Sequence, residues 1–469
     1  MDAATAGSQA VGQSTAAGHA DGPLKKAITR PLLLLFVVGD VLGAGIYALI
    51  GEIGGRVGGA IWGAFAVALL LAVFTAFAYA ELVTKYPRAA GAALYTNKAF
   101  RKPVMTFVVA FAVMCSGITS AATLSRAFGG DYLGELVGDV PTTLVAVGFL
   151  ACVALLNFRG IEESVRTNLV LTLIELGGLV LVVIVAAAAL GDGQGDTGRA
   201  FEIKQDETVF SAMIGGAALA FYALIGFEDS VNVAEETRNP RRDYPFALFG
   251  GLAIAGVIYL AVAILASMVV ATNELAESDG ALQLVASTGP LGVDRDVFSV
   301  IALFALANGA LINMIMASRI VYGMSRESII APFFGRVHAG RRTPWIAIIF
   351  TTALAMILAA TGDLSDLADT TVLLLLLVFT VVNISVLVLR KDKVGHDHFH
   401  APSIIPVIGA IVCVVLAFDK EAEIWVRAGI LLLLGLALWV VSHLTHGRHV
   451  DPYSTEQLQA VGRPPDPRA

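Results

Sequence analysis

Charge is what this sequence has least of. Of its 469 residues only 15% are Asp, Glu, Lys or Arg, whereas 57% are hydrophobic, and the mean hydropathy is +0.78. A soluble domain carries roughly a quarter charged residues, so that class is excluded. Cysteine is nearly absent: Cys115, Cys152 and Cys413 each lie inside an apolar run. Thiols placed this way read as small packing residues, not as a disulfide framework or a metal set. The glycine-rich stretches lack the Lys-Ser/Thr of a P-loop, so no ATP site is expected. No cluster of His, Cys and carboxylates has catalytic spacing within the runs, which argues against an enzyme. The first 24 residues lack the basic start and apolar core of a cleaved signal peptide. They are expected to form a disordered tail, as are residues 448–469.

What the chain does have is long apolar runs, of about 17 to 27 residues each, separated by short charged patches. About 20 residues span the hydrocarbon core, and only helices or closed barrels satisfy their backbone there. Runs this continuous are helices, because barrel strands are shorter and alternate. Twelve spans are predicted, at 31–54, 57–80, 103–126, 141–158, 166–190, 209–235, 245–271, 297–324, 344–361, 370–390, 402–418 and 424–443. Basic residues gather in alternate loops (Lys25, Lys26 and Arg30, then Lys98 to Lys102, then Arg238 to Arg242). The opposite loops are acidic, including Asp363, Asp366 and Asp369. The positive-inside rule then puts both termini in the cytoplasm of a multi-pass plasma-membrane protein.

The stretch "GDVLGAGIYALIGEIGG", Gly39 to Gly55, falls where the first helix should run. At about 1.5 Å per residue, Gly43-Ala44-Gly45 lies roughly 18 Å beyond Pro31, just past the bilayer midplane. Helix packing through small residues accounts for Gly51, Gly55 and Gly59. For Gly43-Ala44-Gly45 packing competes with local unwinding, which the costly neighbouring carboxylate of Asp40 favours. The sixth run offers a second interruption at Gly226, with Tyr222 before it and Glu228 and Asp229 after it. Two interrupted helices of opposite direction, five spans apart, point to an inverted repeat with a midplane site. Amides at a half-helix N-terminus hold a carboxylate, and unwound carbonyls accept from an amine or cation. Such a pair suits a zwitterion.

Four stretches carry a resemblance. "GAGIY" in the first span, "YAELVTKYPRAAGAALYTNKAF" from Tyr79, "NFRGIEESVRTN" from Asn157 and "GFEDSVNVAEETRNPRRDYP" from Gly226 occur in the order found in one family. Together they resemble the amino acid–polyamine–organocation permeases over the first two-thirds of the chain. The resemblance implies an all-α fold of five plus five inverted-repeat helices, with helices 1 and 6 broken and two C-terminal helices added. Within a domain at 25–447, the repeats occupy about 31–190 and 209–390, and the extra helices about 402–443. It further implies that Gly43, Ala44 and Gly45, with Ile46 beside them, present amides to a substrate carboxylate. Carbonyls of Val41, Tyr222 and Ile225, around Gly226, face its amine. Tyr222 aligns with an aromatic that gates the site from outside. Asn308 and Asn313 either line the site or make interhelical hydrogen bonds.

Glu175 is the one ionisable residue of the fifth span. Related sodium-independent members carry lysine there, so their account does not transfer. Desolvation disfavours a charged carboxyl, which equips Glu175, with Asp40 at similar depth, to take up and release a proton. A hydrogen bond to a carbonyl freed by the broken first helix, or direct sodium binding, are the other two readings. The expectation is a secondary transporter moving an amino acid by alternating access with a proton, or sodium, as coupling ion. An exchanger without ion coupling and an ion channel are the rival readings. The expected partners are the bilayer and the amino acid, with no nucleic acid, no metal and no other cofactor. "HDHFH" at His396 to His400 offers metal ligands, but solvated interfacial histidines are the simpler reading.

Overall fold

In a chain this apolar, main-chain hydrogen bonding is satisfied within segments, and helix accordingly occupies every predicted run. The computed structural model describes residues 28–446 apart from 89–90, 139, 160–163, 206, 327–328 and 342. Both expected tails and part of the Asn157 to Asn168 stretch lie outside the described residues. The first interrupted span is α1 (Arg30–Val41) and α2 (Gly45–Val57), followed by α3 (Ile61–Lys85), α4 (Gly91–Phe100) and α5 (Pro103–Phe128). Next come α6 (Asp131–Val137), α7 (Thr142–Arg159), α8 (Ser164–Gly191) and α9 (Val209–Ala223). Then α10 (Pro240–Val269), α11 (Thr272–Ala276), α12 (Ala281–Ala286) and α13 (Arg295–Arg326) lead to the last four helices. These are α14 (Trp345–Thr361), α15 (Leu364–Leu389), α16 (Ile404–Phe418) and α17 (Ala422–His446). Among the described residues β pairing is limited to an isolated parallel bridge between Ile28 and Thr237.

By length and apolarity eight described helices can cross a membrane, or nine when the bent pair α1–α2 counts as one span. Three more, α9, α14 and α16, are apolar but shorter. The protein is therefore an all-helical, multi-pass membrane protein. Local chemistry sets several helix starts. Pro31, Pro103 and Pro240 sit in first turns, where a missing N–H costs nothing. The Thr208 hydroxyl accepts from the Ser211 amide to cap α9. In the core α3 packs on α9 and α10, α5 on α13 and α15, and α1 on α10.

Three boundaries differ from the predicted ones, each for a physical reason. The second helix begins at Ile61 rather than near 57, because Gly58 turns the chain at φ 84° and Gly59 lies against the Arg199 carbonyl. The sixth run does not continue to 235 as α-helix: α9 stops at Ala223, and a 3-10 stretch follows at Asp229–Glu236. The tenth begins six residues early, at Leu364, so Asp366 and Asp369 belong to the helix and not to an acidic loop. Asp369 is tolerated there because Arg56 donates to it at 2.7 Å and Lys420 pairs with its other oxygen. Cys115 and Cys413 are buried as expected of packing residues, whereas Cys152 is exposed.

At the opposite end of α15, Arg390 grips the buried Glu81 carboxylate through two bonds of 3.0 and 2.8 Å. Each of these carboxylates ties α15 to another helix, and removing one partner of a buried pair costs about 3–5 kcal/mol. Asp369→Ala is expected to lower the unfolding temperature of the purified protein in detergent markedly. An unchanged transition would show that the Arg56–Asp369–Lys420 contact carries no stability.

Candidate substrate cavity between two broken helices

The first break is short. The Leu42 amide closes α1 on the Val38 carbonyl at 2.8 Å, Leu42 itself leaves helical geometry at ψ 32°, and α2 resumes at Gly45 with a bend of 43°. The first amides of α2 have no carbonyl one turn back to bond; bonding resumes where Ala48 donates to Ala44. The second break centres on Gly226, whose φ of 129° only glycine adopts without strain. Its amide donates to Glu228 Oε2 at 2.9 Å, and its carbonyl accepts from the Asp229 amide. Glu228 thus holds the turn that the sequence marked only by its glycine.

The two breaks touch. A Cβ on Gly45 would lie 2.7 Å from Ala223 Cα, and one on Gly226 would lie 2.5 Å from the Asp40 carbonyl oxygen. Gly51 and Gly59 instead meet the Leu275 and Arg199 carbonyls, as packing glycines do, and Gly55 approaches Ala276. Gly43 is different: its nearest contact is an ordinary 3.4 Å, so its small size serves open space rather than packing.

That space is a cavity of about 100 Å³, several times the roughly 10–15 Å³ that one water occupies on this measure. Its wall includes Asp40, Val41, Gly43, Ala44, Gly45, Glu175, Tyr222, Ile225 and Gly226, together with Asn308 and Asn313. Ile46 is not on it; the side chain is fully buried in the core. The three carbonyls expected to meet an amine differ. Val41's already accepts from the Tyr259 hydroxyl at 2.7 Å, and Tyr222's from the Ile225 amide at 3.3 Å. Among the described residues no donor is bonded to Ile225's carbonyl.

Glu175 faces this cavity and accepts from Asn308 Nδ2 at 3.1 Å. Its hydrogen-bond partner is therefore a side chain of α13, not a freed carbonyl of the first span. Its own carbonyl is bonded by Tyr47, whose carbonyl accepts from Tyr132, so a buried tyrosine chain braces this side. Asp40 Oδ2 is buried without a hydrogen-bond partner. Sequence reasoning missed Ser116, Gly117 and Ser120 of α5, which line the cavity. Ser120 meets the Tyr222 hydroxyl at 2.9 Å. Their signal was a run of small polar residues in an otherwise apolar helix. Away from the cavity, the His398 and His400 rings lie 4.1 Å apart, tilted by 49°, beside Glu81. Arg390 and the Ala401 amide already bond the Glu81 oxygens.

The first and sixth runs are both interrupted, and the two interruptions meet at this cavity. Residues 31–428 match the family model described as amino acid permease. The chain belongs to the amino acid permease family. The permease is 24% identical to a branched-chain amino acid permease of Bacillus subtilis (strain 168), covering 92% of this chain and 96% of the relative. It is 24% identical to a methylthioribose transporter of the same organism, over 90% and 95% of the two chains. It is 26% identical to a low-affinity putrescine importer of Escherichia coli (strain K12), over 87% and 93%. It is thus a membrane transporter of small molecules and not an enzyme.

The close contacts separate the glycines by role. Gly226→Ala, strained in φ and driven into the Asp40 carbonyl, is expected to abolish a folded, monodisperse protein in detergent. Gly43→Ala, which adds a methyl in open space, is expected to fold normally and bind ligand at least about tenfold more weakly. Equal folding yields for the two would contradict this division.

Proposed function

We propose that the permease is a secondary active transporter that moves an amino acid or related amine across the plasma membrane by alternating access. The observation that carries this is the contact of two interrupted helices beside one cavity. In this reading twelve spans form a five-plus-five inverted repeat with two added helices, and both termini are cytoplasmic. The first-turn amides of α2 at Gly45, with Gly43 and Ala44, receive the substrate carboxylate through hydrogen bonds and the helix dipole. The Ile225 carbonyl receives its amine, and Tyr222, held by Ser120, closes over it. A channel would need a continuous polar path, and the remaining spans are too apolar to line one.

Glu175 is the proposed proton site, with Asp40 beside it. When protonated, Glu175 can donate as well as accept; when ionised, it can only accept, from Asn308. Either state is therefore accommodated by a rotation of the carboxyl or the amide. Sodium at the same carboxyl, or exchange without any coupling ion, are the outcomes that would replace it.

Reconstituted protein is expected to show saturable counterflow of a labelled amino acid or amine in proteoliposomes. Conductance without saturation would overturn the carrier reading. Uptake by the wild type is expected to fall as external pH rises, and Glu175→Gln, which cannot titrate, is expected to flatten that profile. An unchanged profile in Glu175→Gln would remove the proton role.

A further inference from the structure

The segment between α15 and α16 is fastened to α3 by groups other than its histidines. The Phe399 amide donates to the Thr84 hydroxyl at 3.0 Å, and the Ala401 amide to Glu81 Oε2 at 2.9 Å. The Phe399 ring packs on Phe77 and Phe249. His398 and His400, on either side of Phe399, are thereby held beside Glu81, and one ligating atom from each of the three lies within 4.8 Å of the others. The reading of solvated histidines fails for His396 and His398: the Nε2 of each is buried with no hydrogen-bond partner among the described residues. For His398 the tautomer follows as well. Its Nδ1 lies 3.5 Å from the His396 carbonyl, which can only accept. Nδ1 therefore carries the proton, and Nε2 of the neutral ring keeps a lone pair with no donor to receive.

We propose that Glu81, His398 and His400 form a binding site for a divalent transition-metal ion of the zinc class, which clips the segment between α15 and α16 to α3. Two imidazoles and a carboxylate are a donor set that zinc accepts, whereas magnesium and calcium take oxygen ligands. The ion gives the buried Nε2 of His398 the electron-pair acceptor it lacks. The His396 carbonyl meanwhile holds the ring by its other nitrogen, as carbonyls do for ligating histidines. Glu81 keeps room for the ion. Arg390 donates once to each of its oxygens, and the Ala401 amide adds one bond to Oε2. A carboxylate offers about four lone-pair positions, so one remains, on Oε1, and Arg390 orients the carboxylate rather than displacing the ion. Tetrahedral zinc ligands stand about 3.4 Å apart, so the donors close by about 1.4 Å at most, a movement open to the exposed His400 ring. The fourth position falls to water or to His396, whose ring centre lies 6.3 Å from that of His398.

Zn2+ is the probe, added to purified full-length protein after removal of any affinity tag and of bound metal. Competition with a chromophoric chelator is expected to show one equivalent bound with a Kd below about 10 μM. His398→Gln combined with His400→Gln is expected to weaken binding at least about tenfold. Neither ring fastens the segment, so the double variant is expected to unfold at the temperature of the metal-free wild type. Zn2+ is expected to raise the unfolding temperature of the wild type and not of the double variant, and Mg2+ to raise neither. X-ray absorption of the zinc-loaded wild type is expected to show two imidazoles among the ligands, a readout that does not depend on the variant folding. Failure to bind Zn2+, a ligand shell without imidazole, or affinity and thermal shift unchanged in the double variant would each overturn the proposal and leave the transport reading untouched.

Discussion

The contact between the two interrupted spans is the constraint on which the rest of this structure depends. Gly45 lies on Ala223, and Gly226 lies on the carbonyl of Asp40, each at a distance that excludes a side chain. The same two spans meet a third time, where Ile28 donates to Glu236 and accepts from Arg238. Breaks in a membrane helix leave main-chain groups without partners, which lipid does not forgive. Bringing the breaks together places those groups on a shared cavity rather than in hydrocarbon. The cavity thus follows from backbone chemistry before any side chain is considered.

Side chains then determine how much of the freed backbone stays available. Glu228 takes the Gly226 amide and Tyr259 takes the Val41 carbonyl, so part of each break is sealed by the protein itself. What is left is concentrated: the first-turn amides of α2 on one side, the Ile225 carbonyl and the carboxyls on the other. Farther out, the buried partners of α15, Asp369 with Arg56 and Lys420 and Arg390 with Glu81, fix both ends of that helix to its neighbours. One of them, Lys420, lies between α16 and α17, so the last two helices are attached through charge as well as apolar packing.

Much of this was legible in the sequence, because hydropathy in lipid leaves few alternatives to helix and glycine beside a buried acid leaves few alternatives to a break. The distinction between packing glycines (Gly51, Gly59) and the cavity glycine (Gly43) also followed from spacing along one helix. What was not legible depended on contacts between distant segments. Asp369 looked like a loop residue until Lys420 and Arg56 were brought beside it. That Asn308, 133 positions away, donates to Glu175 could not be read from either residue's own segment. Ile46 shares the signature of its neighbours, yet helical rotation turns it into the core. The small connecting helices α4, α6, α11 and α12 carry too little periodicity to be foreseen.

The central claim is that the two facing breaks enclose a site that a substrate occupies and that opens to one side of the membrane at a time. Ser116 on the cavity wall allows a direct measurement. In a background lacking Cys115, Cys152 and Cys413, Ser116→Cys is alkylated with a membrane-impermeant thiol reagent in sealed right-side-out and inside-out vesicles. The account predicts labelling from both sides, slowed by transported substrate and shifted between sides by a substrate gradient. Labelling at one rate regardless of substrate would contradict it.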